Sequence, residues 1–184
     1  INLPKDYQVA STGIVTAEKN LDSDRKVVEI SAPCVRDFAF AAGDKYKCIE
    51  HEVEGINFKL FYDPGVGMGE AIEAKVTEIL NDAVPVLNES IGKYPYEEFD
   101  IVMNTMDDGM EYPNMTIMTD DCQDKSAYVL LRDMLIHEYV HQWFMGIVGS
   151  NSGTESWLDE GVTNFVTSYT ISKNVGYDNW MIAD

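Results

Sequence analysis

His137-Glu138-Tyr139-Val140-His141, with Glu160 following after eighteen intervening residues, decides how the rest of this chain is read. On a helix, residues four apart lie one above the other, so His137 and His141 can direct imidazole nitrogens at one ion. Glu138 sits about 100° further around, which brings its carboxylate beside a metal without displacing a ligand. From there it can take a proton from water. One helix face cannot close a tetrahedral site, so a third ligand must come from another segment, and Glu160 is suitably placed. A buried carboxylate adds nothing to packing and needs a partner, which argues against the histidines being ordinary core residues. The expectation is one Zn2+ on His137, His141 and Glu160, with Glu138 as the catalytic base.

The surroundings of Glu160 extend this reading. Trp157-Leu158-Asp159-Glu160-Gly161 opens an apolar-periodic run that continues through Phe165, Tyr169 and Ile171, so a second helix should pack against the first. The linker from Gly146 to Thr154 carries three glycines, enough to reverse the chain. Asn164, one turn after Glu160, or Asp159 beside it, is the candidate to hydrogen-bond a ligand imidazole.

At 184 residues the chain can bury a real core, and its formal net charge of −19 makes nucleic acid an unsuitable partner. Nine acidic residues and no lysine or arginine lie between Glu97 and Asp124, and Asp120, Asp121 and Asp124 read as a solvated loop. Cys34, Cys48 and Cys122 are odd in number and too widely spaced for a thiolate metal site or a disulfide framework. No stretch resembles a signal peptide or a membrane span. A chain that opens on Ile1, with helical patterning through Asn179-Trp180-Met181-Ile182, reads as excised from something longer. Localisation is weighted toward the cytoplasm, a secreted or membrane-attached parent being the alternative, and oligomeric state is not legible.

Along the chain, 7–16, 26–32, 37–42 and 46–54 are β-branched or aromatic runs separated by turn signals, expected as an antiparallel sheet. Residues 56–62 follow as a strand entering the next domain, ended by Asp63-Pro64-Gly65. Met68, Ile72, Val76, Ile79, Ala83 and Leu87 advance by threes and fours and predict an amphipathic helix, which Pro85 should kink or divide. Strands are expected at 99–103 and 115–119, and the metal helix at about 126–148. Helix, strand, strand and paired helices indicate an α+β domain.

With these pieces in place, the chain resembles the zinc aminopeptidase family that includes leukotriene A4 hydrolase, in the gluzincin group of thermolysin-like peptidases. The likeness rests on His137-Glu138-Tyr139-Val140-His141-Gln142-Trp143-Phe144, on Trp157-Leu158-Asp159-Glu160-Gly161 and on Gly109-Met110-Glu111-Tyr112-Pro113, with a similar turn at Gly92-Lys93-Tyr94-Pro95-Tyr96. The family's upstream element reads glycine, any residue, methionine, glutamate, asparagine. Met110 and Glu111 match it, whereas Asp108 stands at the glycine position and Tyr112 at the asparagine position.

The resemblance implies that residues 1–54 end a β-rich antiparallel amino-terminal domain and that 55–184 are the first, thermolysin-like part of a zinc peptidase catalytic domain. It implies an aminopeptidase acting on peptides with a free amino terminus, in which Glu111 binds the substrate ammonium and the backbone of Gly109 and Met110 runs beside the substrate. A tyrosine that steadies the oxyanion is implied beyond Glu160, so the chain alone is expected to be inactive or weakly active. The alternatives are a thermolysin-like zinc endopeptidase and a zinc-binding fragment without turnover.

Overall fold

The computed structural model describes residues 1–105, 108–119 and 125–175. Expectations for Asp120, Asp121, Cys122, Asp124 and 179–182 lie outside those residues. The amino-terminal stretch forms β1 (Asn2–Pro4), β2 (Gln8–Ser11), β3 (Ile14–Asn20), β4 (Arg25–Ser31) and β5 (Phe40–Gly43). Antiparallel β1, β4 and β3 make one sheet, and β2 pairs with β5 in another. The single strand expected over 7–16 is broken after Ser11, where the chain passes from one sheet to the other. Gly13 permits that passage, because a methyl group on it would meet Ile30 Cγ2 and Ser31 O at 2.6 Å.

β6 (Lys47–Val53) and β7 (Ile56–Tyr62) form a hairpin whose turn residues Glu54 and Gly55 take φ of 54° and 81°. Residue 54, read from sequence as the domain division, is therefore a hairpin tip. β6 is not part of an amino-terminal antiparallel sheet; it joins a mixed sheet of order β6-β7-β8-β10-β9, with β8 at Glu98–Asn104, β9 at Met110–Tyr112 and β10 at Met115–Thr119. Within it β7, β8 and β10 run parallel, and β9 is an antiparallel edge strand. Side chains alternate across β7, so Ile56, Phe58, Leu60 and Tyr62 enter the main core while Phe61 enters a smaller one with Val102, Met115 and Ala10. Helices cover the first face of the sheet and β2 lies on the second.

Helix α1 (Ala71–Ser90) crosses from β7 to β8 and buries Ile72, Val76, Ile79, Leu80, Ala83, Val84 and Leu87. Met68 precedes it, packed partly buried against the same core. Pro85 does not divide α1, which continues to Ser90. The buried stripe on either side of Pro85 outweighs the one helical hydrogen bond that its missing N–H removes.

Helix α2 (Lys125–Val140) ends eight residues before the expected 148. After Val140 the bonding tightens: Gln142 N–H donates to Tyr139 O and Trp143 N–H to Val140 O, three residues back. It then widens, with Gly146, Ile147 and Val148 bonding to carbonyls five residues back, and Met145 takes φ of 137°. His141 still donates its N–H to His137 O at 3.2 Å, so the two histidines remain one turn apart. A π-turn (Trp157–Gly161) leads into α3 (Val162–Val175). Cys34 and Cys48 are free thiols. No described helix is long and apolar enough to cross a membrane.

Candidate metal centre

The end of α2 and the π-turn bring three donor atoms to one point. His137 Nε2 and His141 Nε2 lie 3.0 Å apart, and Glu160 Oε2 lies 3.3 Å from the first and 3.7 Å from the second. Bonds of about 2.05 Å in a tetrahedral shell separate ligand atoms by roughly 3.3 Å, so this spacing fits a zinc-sized ion. The chemistry fits too: two imidazoles and a carboxylate leave a fourth position free. Glu111, His141 and Asp159 also bring one donor atom each within 4.8 Å, which places the Glu111 carboxylate at the edge of the same group.

The rings are held from behind. His141 Nδ1 donates to Phe144 O at 3.1 Å, which fixes that nitrogen as N–H and leaves Nε2 with its lone pair toward the triad. Asp159 Oδ1 lies 3.1 Å from Nδ1 without the alignment of a hydrogen bond, and Thr163 Oγ1 stands 3.3 Å away. Asn164 reaches His137, where its hydrogen bond favours the protonated ring; burial and the neighbouring His141 hold the His137 pKa below its ordinary value. Both candidate supporting residues therefore contact a ring, one each.

The turn at 157–161 makes this division possible. Val162 N–H donates to Trp157 O, five residues back, as well as to Asp159 O. In this wider turn the buried Asp159 meets His141 while the exposed Glu160 faces the Nε2 atoms.

Glu138 stands beside the triad, only 5% exposed. Burial, then the carboxylates of Glu111, Glu160 and Asp108, push its pKa up to about 8, against a weak opposing bond from Thr116. A cation at the triad would relieve that repulsion. Bare backbone at Gly109 makes room for the carboxylate, since a methyl group there would come within 2.7 Å of Glu138 Cδ and collide with Oε1. Gly109 thus has a packing role besides the one expected of it.

A cleft of about 610 Å³ opens over these groups. Asp108, Gly109, Met110 and Glu111 line one part of it, and Leu130, Met134 and Ile171 another. Tyr139 points the other way, into an aromatic cluster with Phe58, Tyr94, Phe99 and Trp143 at centroid distances of 5.0–5.4 Å.

Of the apolar run expected after Glu160, Ile171 is buried as expected but the aromatic positions are not. Trp157 and Phe165 are 67% and 70% exposed and Tyr169 is partly exposed, while Val166 and Ile171 are buried with Thr163, Thr167 and Thr170. Short threonine side chains suit a close helix contact, and Thr170 satisfies its hydroxyl on Val166 O at 2.8 Å. The threonines, Thr116 and Gln142 are site-supporting residues that the sequence reading missed.

The Peptidase family M1 domain matches residues 77–184, more than half of the chain, and the chain belongs to that family. Among solved structures with a similar fold are an M1 zinc metallopeptidase from Deinococcus radiodurans and a point mutant of it. Each has 17% identity and a TM-score of 0.72 over 95% of this chain, which spans 40% of theirs. No curated protein sequence matches the chain.

Proposed function

We propose that this chain carries the metal-binding part of a zinc aminopeptidase, with one Zn2+ held by His137, His141 and Glu160. A bound zinc ion supplies Lewis acidity, polarising a peptide carbonyl and acidifying water. Glu138 takes the water's proton on its carboxylate and hands it to the departing amine nitrogen. Phe144 O holds the His141 ring in the ligand tautomer with the Asp159 carboxylate close beside the same nitrogen, and Asn164 supports His137.

One observation carries the aminopeptidase reading over the endopeptidase one. Glu111, on edge strand β9, lines the same cleft as the donor triad, and its carboxylate has no ion-pair partner among the described residues. Such a group favours a cation, and a free α-ammonium placed there would leave the first peptide bond toward the metal. The substrate class is accordingly peptides with an unblocked amino end.

Paired free-amino and acetylated peptides test this in the full-length protein. The free-amino peptide should be cut at its first bond and the acetylated one ignored, and Glu111→Ala should raise KM and lower kcat on the former. Efficient internal cutting of acetylated peptides, indifferent to Glu111→Ala, would establish the thermolysin-like alternative instead.

A further inference from the structure

Gln142 follows the ligand His141 directly and is 1% exposed, and its amide is spent on main-chain atoms of another segment. Its Oε1 accepts the Asn114 N–H at 2.7 Å, and its Nε2 donates to Tyr112 O at 3.0 Å. Those two groups flank Pro113 in the turn that joins β9 to β10. The turn is otherwise tightly held: Asn114 adopts φ of 63°, its carbonyl accepts Asp100 N–H at 3.1 Å, and its Oδ1 accepts Tyr94 O–H at 2.5 Å.

β9 needs such an anchor. It has three residues, is paired on one side only, and meets β10 through Tyr112 opposite Met115, Glu111 opposite Thr116 and Met110 opposite Ile117. Thr116 adds one bond, donating to Met110 O at 3.1 Å. A strand this short does not hold its own place against a helix; side-chain contacts must set it.

We propose that Gln142 is a positioning residue that ties the substrate-ammonium carboxylate, Glu111, to the helix end carrying His137 and His141. It thereby sets the distance from amine site to metal site, and so which peptide bond lies over the metal. The proposal rests on the reading of Glu111 as the ammonium site. An amide is the side chain that suits this task, because the turn presents one donor and one acceptor together and a carboxylate or thioether can serve at most one. The clamp engages only main-chain atoms of residues 112 and 114. Tyr112 can therefore stand where the related motif has asparagine without loosening it.

A double-mutant cycle between Gln142→Met and Glu111→Ala in zinc-loaded full-length protein tests the tie. Gln142→Met alone should keep one zinc per chain, raise KM on a free-amino peptide about tenfold, and lower the preference for free-amino over acetylated peptide by a similar factor. In the Glu111→Ala background the same change should alter KM by less than about twofold. Independent, multiplying effects, or an equal loss on both peptides, would overturn the proposal and leave Gln142 a purely structural residue. Glu111→Ala without effect by itself would remove the ammonium site and the proposal with it, an outcome visible in the single variant. If Gln142→Met yields no folded, zinc-bound protein, Gln142→Glu, which retains the acceptor for Asn114 N–H, carries the same cycle under the same criteria.

Discussion

Glu138 and Asp100 are two nearly buried carboxylates whose environments push their pKa values up, to about 8 and about 7, with burial the leading cause in each. Their neighbours differ. Around Glu138 stand Glu111, Glu160 and Asp108, three further acids on an open cleft beside convergent metal donors. Asp100 sits where β2 meets β8; its Oδ2 accepts Ser11 N–H at 2.8 Å, and the Lys59 charge opposes part of the shift. Burial leads in both cases, with neighbouring carboxylates adding to it. A shifted carboxylate marks chemistry only where open volume and a reaction partner accompany it, and otherwise marks a structural tie.

The sharpest break between the two is neutralisation. Glu138→Gln should leave zinc bound and cut turnover about 10²–10⁴-fold, because an amide does not accept water's proton. Zinc analysis beside a peptidase assay on the full-length protein decides it, and activity within a few-fold of the parent would remove Glu138 as the base. Gly109→Ala tests the same carboxylate from outside. The added methyl must displace Glu138, so turnover should fall about 10–10²-fold with zinc content unchanged. Unaltered kcat would mean that the carboxylate can move without consequence.

Asp100→Asn should leave turnover alone and change stability instead. An acid whose folded-state pKa lies above its unfolded one stabilises the fold at low pH and loses that contribution as pH rises, here from 3.8 to about 7. The asparagine variant should therefore melt on the order of 10 °C above the parent at pH 8, with the gap closing toward pH 4. A gap that widens on acidification would show that Asp100 is ionised in the fold. The smallest effect belongs to Tyr139, whose hydroxyl is buried without a hydrogen-bond partner among the described residues. Tyr139→Phe keeps the aromatic cluster and removes the orphaned oxygen, so denaturant unfolding should shift by no more than about 0.5 kcal/mol, or toward greater stability. A loss above about 2 kcal/mol would reveal a partner for that oxygen.

The parts of the site legible in the sequence are those set by short-range helix geometry. His137, Glu138 and His141 depend on one turn of helix, and α1 announced itself by six apolar positions in step. What stayed illegible depends on neighbours distant in sequence. β6 reads like any other amino-terminal strand until its pairing with β7 is known, and the need for glycine at position 13 shows only once Ile30 and Ser31 lie against it. Phe165 and Thr167 invert the usual ranking of buried residues, since helix contact here favours small side chains. Gln142 gave no sign of its role, because an amide beside a ligand can bond in any direction.

The widened turn before α3 acts as a phase adjuster. A regular helix locks the direction of every side chain to that of every other, so the face that packs would dictate where the ligand points. One turn bonded five residues back releases that lock locally, and α3 can seat Val166 and Ile171 in the core while Glu160 is aimed independently. The packing surface of this helix can consequently change without turning the Glu160 carboxylate away from the two imidazoles, and a single-residue deletion within 157–161 is expected to do more harm than many substitutions in the core.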